Sequence, residues 1–398
     1  MTAHLACAAR QAPRFEIGDI VRRHRDALER AQLLHLDQRR ALSALALCRT
    51  EALGGHLDVC TSCGHTKPSY NSCRNRHCPK CQALAQHKWV VDRLARILPV
   101  QHFHVVFTLP AALRSLAAYR PTLVYNLLFE TASATLLEVG RGPKLGALLG
   151  ITAVLHTWTR ELKLHPHLHC IVTAGGLAPS RDCWVRSRAD YLLPLRILSD
   201  VFRGKFLAAL RREHRRGSFA GFDAFTDPMG FERLCSAMTK HRWVVYAKKP
   251  FAGTQHVFRY LGRYTHRVGI ANSRIVDVGD EHVAFRTKDG KAITLTPLDF
   301  LGRFVQHILP KGFVKIRHFG LYASTHVNTL LQHARALLQP NRVQHDTLPP
   351  TSWLELLLML TGHDVRRCAY CGGNVVSLPL PLRATNMNAR SRAPPASS

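Results

Sequence analysis

The chain has 398 residues, 46% of them hydrophobic, and carries 55 Lys plus Arg against 26 Asp plus Glu, a formal net charge of +29 before any of its 24 histidines is counted. That length allows two or three domains with a sizeable core. No apolar run in the sequence is long enough to cross a bilayer as a helix. A membrane-surface protein is disfavoured, because no lipidation signal or basic amphipathic helix appears.

An excess of positive charge this large points to a polyanionic partner. Nucleic acid comes first, since every neutralised phosphate releases counterions. The start, Met1-Thr2-Ala3-His4-Leu5-Ala6-Cys7, lacks the charged-then-apolar pattern of a secretion signal. The expected location is therefore the cytoplasm, where the 12 cysteines stay reduced and clustered pairs favour metal over disulfide.

In chain order, residues 14–53 read as helical, with Ile17, Ile20, Val21 and Leu28 on an apolar stripe. Residues 54–95 hold a cysteine cluster ending in a helical run at 82–89. A strand is expected at 102–109, where Phe103, Val105, Phe107 and Leu109 share one face and Pro110 closes it. A long helical stretch, 111–162, follows, and then a strand at 163–172. Residues 190–240 read as mainly helical, and their charge run Arg211–Arg216 is either a solvated face or part of a phosphate path. A short strand at 243–247 and a helix at 254–266 come next. A hairpin at 282–296 turns on Asp289-Gly290. A helix at 297–309 and a strand at 313–318 follow, and 376–398, rich in Pro, Ser, Ala and Arg, reads as a disordered tail. Strands mixed with helices and hairpins, without a βαβ repeat, predict an α+β fold with a largely antiparallel sheet.

Two CxxC pairs, Cys60–Cys63 and Cys78–Cys81, lie within about two dozen residues. Each can turn tightly enough for two thiolates to bind one cation, and two such turns complete a closed tetrahedral zinc site. Cys73, His65 and His77 lie in the same window as further candidate ligands, so a second zinc is open. Arg74 and Arg76 beside the cluster are expected to contact DNA. A late pair, Cys368–Cys371, is half a site by itself.

The strand at 163–172 places His165, His167 and His169 on one face and Leu168, Cys170 and Val172 on the other. Pro166 holds His165 towards an extended backbone. Three imidazoles on one side of an apolar strand make a poor core and suit a divalent metal. On the helix at 254–266, Tyr260 and Tyr264 are i, i+4 neighbours flanked by Arg263 and Arg267. A tyrosine hydroxyl, with a pKa of about 10, can attack a phosphodiester when a metal polarises the phosphate. No glycine-rich loop ending in Lys-Ser/Thr appears, so no nucleotide cofactor is expected.

Taken together, the segments Tyr70–Gln82, His104–Pro110, His165–Cys170, Tyr260–Arg267 and Leu309–His318 resemble the two-tyrosine HUH rolling-circle transposases of bacterial insertion sequences, which carry an N-terminal zinc-binding domain. His167-Leu168-His169 fits the histidine–hydrophobic–histidine motif that names the group. The resemblance implies that His167 and His169 hold Mg²⁺ or Mn²⁺ at the scissile phosphate. It implies that Tyr260 and Tyr264 attack single-stranded DNA, at element ends and target, leaving a 5′-phosphotyrosine and a free 3′-OH. It also implies a bacterial, nucleoid-associated setting. The third metal ligand stays open among His165, Gln255, His256, His266 and the pair His102 and His104.

The domains expected are a helical and zinc-binding DNA-contact domain at 1–95 and an HUH catalytic domain at 96–330, with a central antiparallel sheet flanked by helices. A segment with the CxxC pair at 331–375 and the tail at 376–398 complete the chain. The alternatives are a replication initiator or relaxase of the same chemistry, and a zinc-containing DNA-binding protein without catalysis.

Overall fold

A computed structural model describes residues 13–82, 96–222, 227–248, 269–339 and 364–380, with scattered positions within 86–93 and 352–362. The chain divides into two compact units, Met1–Leu84 with Leu348–Ser398, and Ala85–Thr347. The boundary therefore falls near residue 84, and the Cys368–Cys371 segment belongs to the first unit.

The first unit opens with helices α1 (Ile17–Ala31) and α2 (Leu36–Leu47) and strands β1 (Gly55–Cys60) and β2 (Thr66–Tyr70). The second runs through β3 (His102–Thr108), α3 (Arg114–Tyr119), α4 (Pro121–Arg141), β4 (Leu148–Trp158), β5 (Leu164–Leu177) and β6 (Trp184–Arg186). It continues with α5 (Leu195–Arg215), α6 (Pro228–Thr239), β7 (Val245–Lys248), β8 (Ile275–Val278), β9 (Val283–Arg286), β10 (Ala292–Leu295), α7 (Pro297–Val305), β11 (Ile316–Gly320) and α8 (Leu330–Leu338). Strand β12 (Val375–Leu380) returns to the first unit. The α+β class with antiparallel sheets flanked by helices is as the sequence indicates.

In the first unit, α1 buries Ile17, Ile20, Val21 and Leu28, the stripe read from the sequence. The helical region 14–53 is nevertheless two helices. Gln32 is extended, and His35 starts α2 in a reciprocal capping arrangement with Gln38. Strand β1 is the middle of a three-stranded antiparallel sheet, order β12-β1-β2. Residues 376–380, expected to be disordered, are thus paired strand. Pro379 is tolerated because β12 is an edge.

The second unit is built on an antiparallel sheet of order β11-β4-β5-β3-β7, with β6 against the end of β5. The stretch 111–162 is not one helix. Helix α4 stops at Gly142-Pro143, Gly146 turns the chain at a φ of 69°, and β4 follows. The apolar run Leu148–Leu155 satisfies either pattern in sequence, because a strand buried on both faces loses its alternation.

One sheet face, carrying Phe103, Phe107, Leu155, Leu168 and Val172, packs with Leu128, Phe129, Phe202, Phe206 and Trp243 into the main core. The opposite face carries the histidines. The hairpin at Asp289-Gly290 forms as expected, with Gly290 at a φ of 88°. The Arg211–Arg216 run is largely consumed by ion pairs, Arg211 with Glu232, Arg212 with Glu130 and Arg216 with Glu213. Among the described residues, no helix is long and apolar enough to cross a membrane.

Candidate functional site

Strand β5 is central in its sheet, and its alternation puts Leu164, Leu168, Cys170 and Val172 into the core while His165, His167 and His169 emerge on the other side. Its neighbour β4 pairs His156 directly with His167 and Val154 with His169. Cross-strand partners share a face, so His156 joins the row. Ligand atoms of His156, His167 and His169 all lie within 4.8 Å of one another. On the other side of β5, strand β3 contributes His104, whose Nε2 is 2.7 Å from His169 Nδ1. His167 Nδ1 sits 2.6 Å from the His165 carbonyl oxygen, to which it can donate, leaving its Nε2 lone pair outward. His156 stacks on Trp158 with ring centroids 4.7 Å apart.

The cysteines of the first unit form two groups of four. Cys48, Cys73, Cys78 and Cys81 make one, and Cys60, Cys63, Cys368 and Cys371 the other. In the first, Sγ separations include Cys48–Cys81 at 3.3 Å, Cys48–Cys78 at 3.5 Å and Cys73–Cys81 at 3.7 Å. Four thiolates bound to zinc at about 2.3 Å stand roughly 3.8 Å apart, so the donor set and spacing fit that ion. The two CxxC pairs that adjoin in sequence therefore do not close on one another. His77 is buried beside Cys78 with its Nδ1 3.1 Å from Asn75 Oδ1 and stays outside the four-sulfur group.

Residues 150–329 match the family model described as "putative transposase", and residues 20–109 match the one described as "transposase zinc-binding domain". Over 376 residues the chain is 42% identical to the putative transposase y4qJ of Sinorhizobium fredii, an alignment covering 91% of this chain and 94% of that relative. The chain belongs to this transposase family. It is also 28% identical over 377 residues to the transposase for insertion sequence element IS801 of Pseudomonas savastanoi pv. phaseolicola, covering 88% and 87% of the two chains. No solved structure matches the chain.

The electrostatics of the transposase's histidine face favour the neutral form of His104, His167 and His169. Burial pushes His104 and His167 down to about 4, and holds His169 well below the ordinary histidine range. Lys288 and Lys248 add positive potential at His169. A neutral imidazole has the lone pair that a metal needs. Hydrogen bonds from Cys73 and Cys78 push the Cys81 thiol far below its ordinary range.

The sequence singled out His167 and His169, and the fold gathers them with His156. His165 is on the expected face but outside the three-ring group. His102 points elsewhere, its Nε2 2.9 Å from the Tyr322 hydroxyl. Tyr260, Tyr264, Arg263 and Arg267, with Gln255, His256 and His266, lie outside the described residues. Arg74 is exposed and takes a left-handed φ of 51°, whereas Arg76 is half-buried. Sequence reasoning missed His156 and Cys48. Alternation back from Trp158 along Thr152, Val154 and His156 would have found the first. No motif marks Cys48, which is a lone cysteine where α2 ends.

Proposed function

We propose that this transposase cuts and rejoins single-stranded DNA by metal-assisted tyrosine transesterification, in rolling-circle-type transposition. The observation that carries this reading is the gathering of three imidazoles, His156, His167 and His169, on one face of the central strands. Three nitrogen donors on a partly open face leave coordination positions for water and a phosphate oxygen. The donor set fits a divalent ion and suits Mn²⁺ better than Mg²⁺, since imidazole favours transition metals. Bound there, such an ion polarises the scissile phosphate and stabilises the charge that develops on it.

The remaining chemistry belongs to the chain. The hydroxyl oxygen of Tyr260 or Tyr264 bonds to phosphorus while the bond to the 3′ oxygen breaks. The phenol's proton is released, and the departing oxygen becomes a 3′-OH. The 5′-phosphotyrosine conserves the bond, so attack by a 3′-OH on it regenerates both the phosphodiester and the tyrosine. Two tyrosines allow one strand end to stay attached while a second bond is cut. Lys248 and Lys288 supply positive potential beside the histidines for a phosphate backbone. Arg74, Arg76, Arg263 and Arg267 are further contacts to DNA. Zinc on Cys48, Cys73, Cys78 and Cys81 holds the first unit's fold.

Purified protein with Mn²⁺ is expected to become covalently attached to a labelled single strand carrying an element end. His167→Ala combined with His169→Ala abolishes the adduct while DNA binding persists. An adduct that survives this double change defeats the metal assignment. Full activity of the Tyr260→Phe, Tyr264→Phe variant defeats the nucleophile assignment.

A further inference from the structure

The second cysteine group spans the two ends of the chain. Cys60 and Cys63 lie within the zinc-binding family match, whereas Cys368 and Cys371 lie beyond both matched ranges. The two halves have the same local build. In Cys60-Thr-Ser-Cys63-Gly64-His65, Gly64 N–H donates to the Cys60 carbonyl at 3.1 Å and Cys60 N–H to the His65 carbonyl at 2.9 Å. In Cys368-Ala-Tyr-Cys371-Gly372-Gly373, Gly372 N–H donates to the Cys368 carbonyl at 2.9 Å and Cys368 N–H to the Gly373 carbonyl at 2.8 Å. The glycine after each second cysteine has a positive φ, 70° at Gly64 and 72° at Gly372, which a side chain would strain.

Antiparallel pairing of β1 with β12, down to Cys60 opposite Val375, brings these turns face to face. Cys60 Sγ then stands 3.5 Å from Cys371 Sγ, and Cys63 Sγ 3.7 Å from Cys368 Sγ. Matched turns presenting four sulfurs at these distances make a tetrahedral zinc site.

We propose that the transposase binds a second structural Zn²⁺ on Cys60, Cys63, Cys368 and Cys371, which clasps the carboxy-terminal segment to the amino-terminal unit. The zinc-binding unit is then completed only by residues made after the entire second unit. Loss of the clasp strips β12 from β1 and leaves β1–β2 as a two-stranded hairpin, which is marginal alone. The proposal does not depend on the reading of the histidine face.

The test is metal content of the full-length protein, purified with zinc and desalted. Every sample carries His167→Ala and His169→Ala, so that the histidine face takes up no zinc or cobalt, and wild type here refers to the cysteines. Two zinc per chain are expected for the wild type, and one for Cys368→Ser with Cys371→Ser. Replacement of zinc by Co²⁺ gives a reading that needs no cysteine variant. Two equivalents bind, each with the visible and thiolate charge-transfer absorption of an all-sulfur tetrahedral site. One zinc in the wild type, or an unchanged two in the double variant, overturns the proposal. So does a second Co²⁺ without the all-thiolate spectrum. If the double variant misfolds and loses both metals, the wild-type Co²⁺ titration decides.

Discussion

His104 Nε2 stands 2.7 Å from His169 Nδ1, with the two rings nearly parallel at 6° between planes. Two neutral imidazoles at that distance must share one proton between facing nitrogens. With His169 Nδ1 as donor, its Nε2 carries the lone pair that a cation needs, and His104 acts as the positioning residue. Removing such a partner typically costs 10–100-fold in metal affinity. His104→Ala is therefore expected to raise the Mn²⁺ concentration for half-maximal adduct formation by roughly that factor. His104→Gln, which keeps an acceptor, should recover part of the loss. Direct Mn²⁺ binding followed by magnetic resonance supplies a readout independent of cleavage. An unchanged affinity in His104→Ala would assign the pair a packing role only.

A second prediction separates His156 from His165. Both are near His167, with ring centroids at 5.5 Å and 5.3 Å, yet only His156 joins the three-ring group. His156→Ala is expected to weaken metal dependence as severely as His169→Ala does. His165→Ala should leave it within about twofold, because the His165 contribution to His167 is a backbone carbonyl. A reversed order would make His165 the ligand. Wild-type protein should also reach half-maximal activity at lower Mn²⁺ than Mg²⁺, since the donors are nitrogen.

The contrast between those two histidines shows what the sequence could and could not reveal. His165, His167 and His169 were legible because strict alternation on one strand fixes their shared face. His156 was hidden because β4 is buried on both sides: Leu149 to Leu155 hold no polar break except Thr152, so the strand reads as a continuation of α4. The same limit applies to the cysteines. A CxxC pair announces a two-thiolate turn, but which turns meet is decided by strand pairing across more than 300 residues, as between Cys60 and Cys371. Local spacing suggested joining Cys60–Cys63 to Cys78–Cys81, and the β1–β12 ladder set a different partner.

Cys48 gives a third prediction. It lies 3.3 Å from Cys81 and 3.5 Å from Cys78, at the end of α2, and ties that helix to the segment 73–81. Cys48→Ser should remove one zinc per chain and lower thermal stability. Cys235→Ser, at a buried cysteine of the main core and outside both tetrads, should leave metal content unchanged. Equal metal content in wild type and Cys48→Ser would remove Cys48 from the ligand set.

A fourth prediction concerns acid. Burial holds His102, His307 and His318 down to about 4, away from an unfolded value of about 6.5. Above pH 6.5 these groups are neutral in both states and contribute no pH dependence. Between 6.5 and about 4 the unfolded chain takes up protons that the folded chain refuses, so stability falls as pH falls. The slope reaches at most about 1.4 kcal/mol per pH unit for each histidine. Below about 4 the folded rings protonate as well, and the dependence on these groups levels off. His307 is the cleanest test, because its ring is fully enclosed between Thr157 Oγ1 at 3.1 Å and the Leu162 carbonyl at 3.0 Å. With divalent metal chelated from the histidine face, urea midpoints of the second unit should stay flat from pH 8 to 7 and drop steeply from 6.5 to 4.5. His307→Asn, which cannot titrate, should make that drop shallower. An identical slope in the variant would show that His307 is solvated and titrates alike in both states.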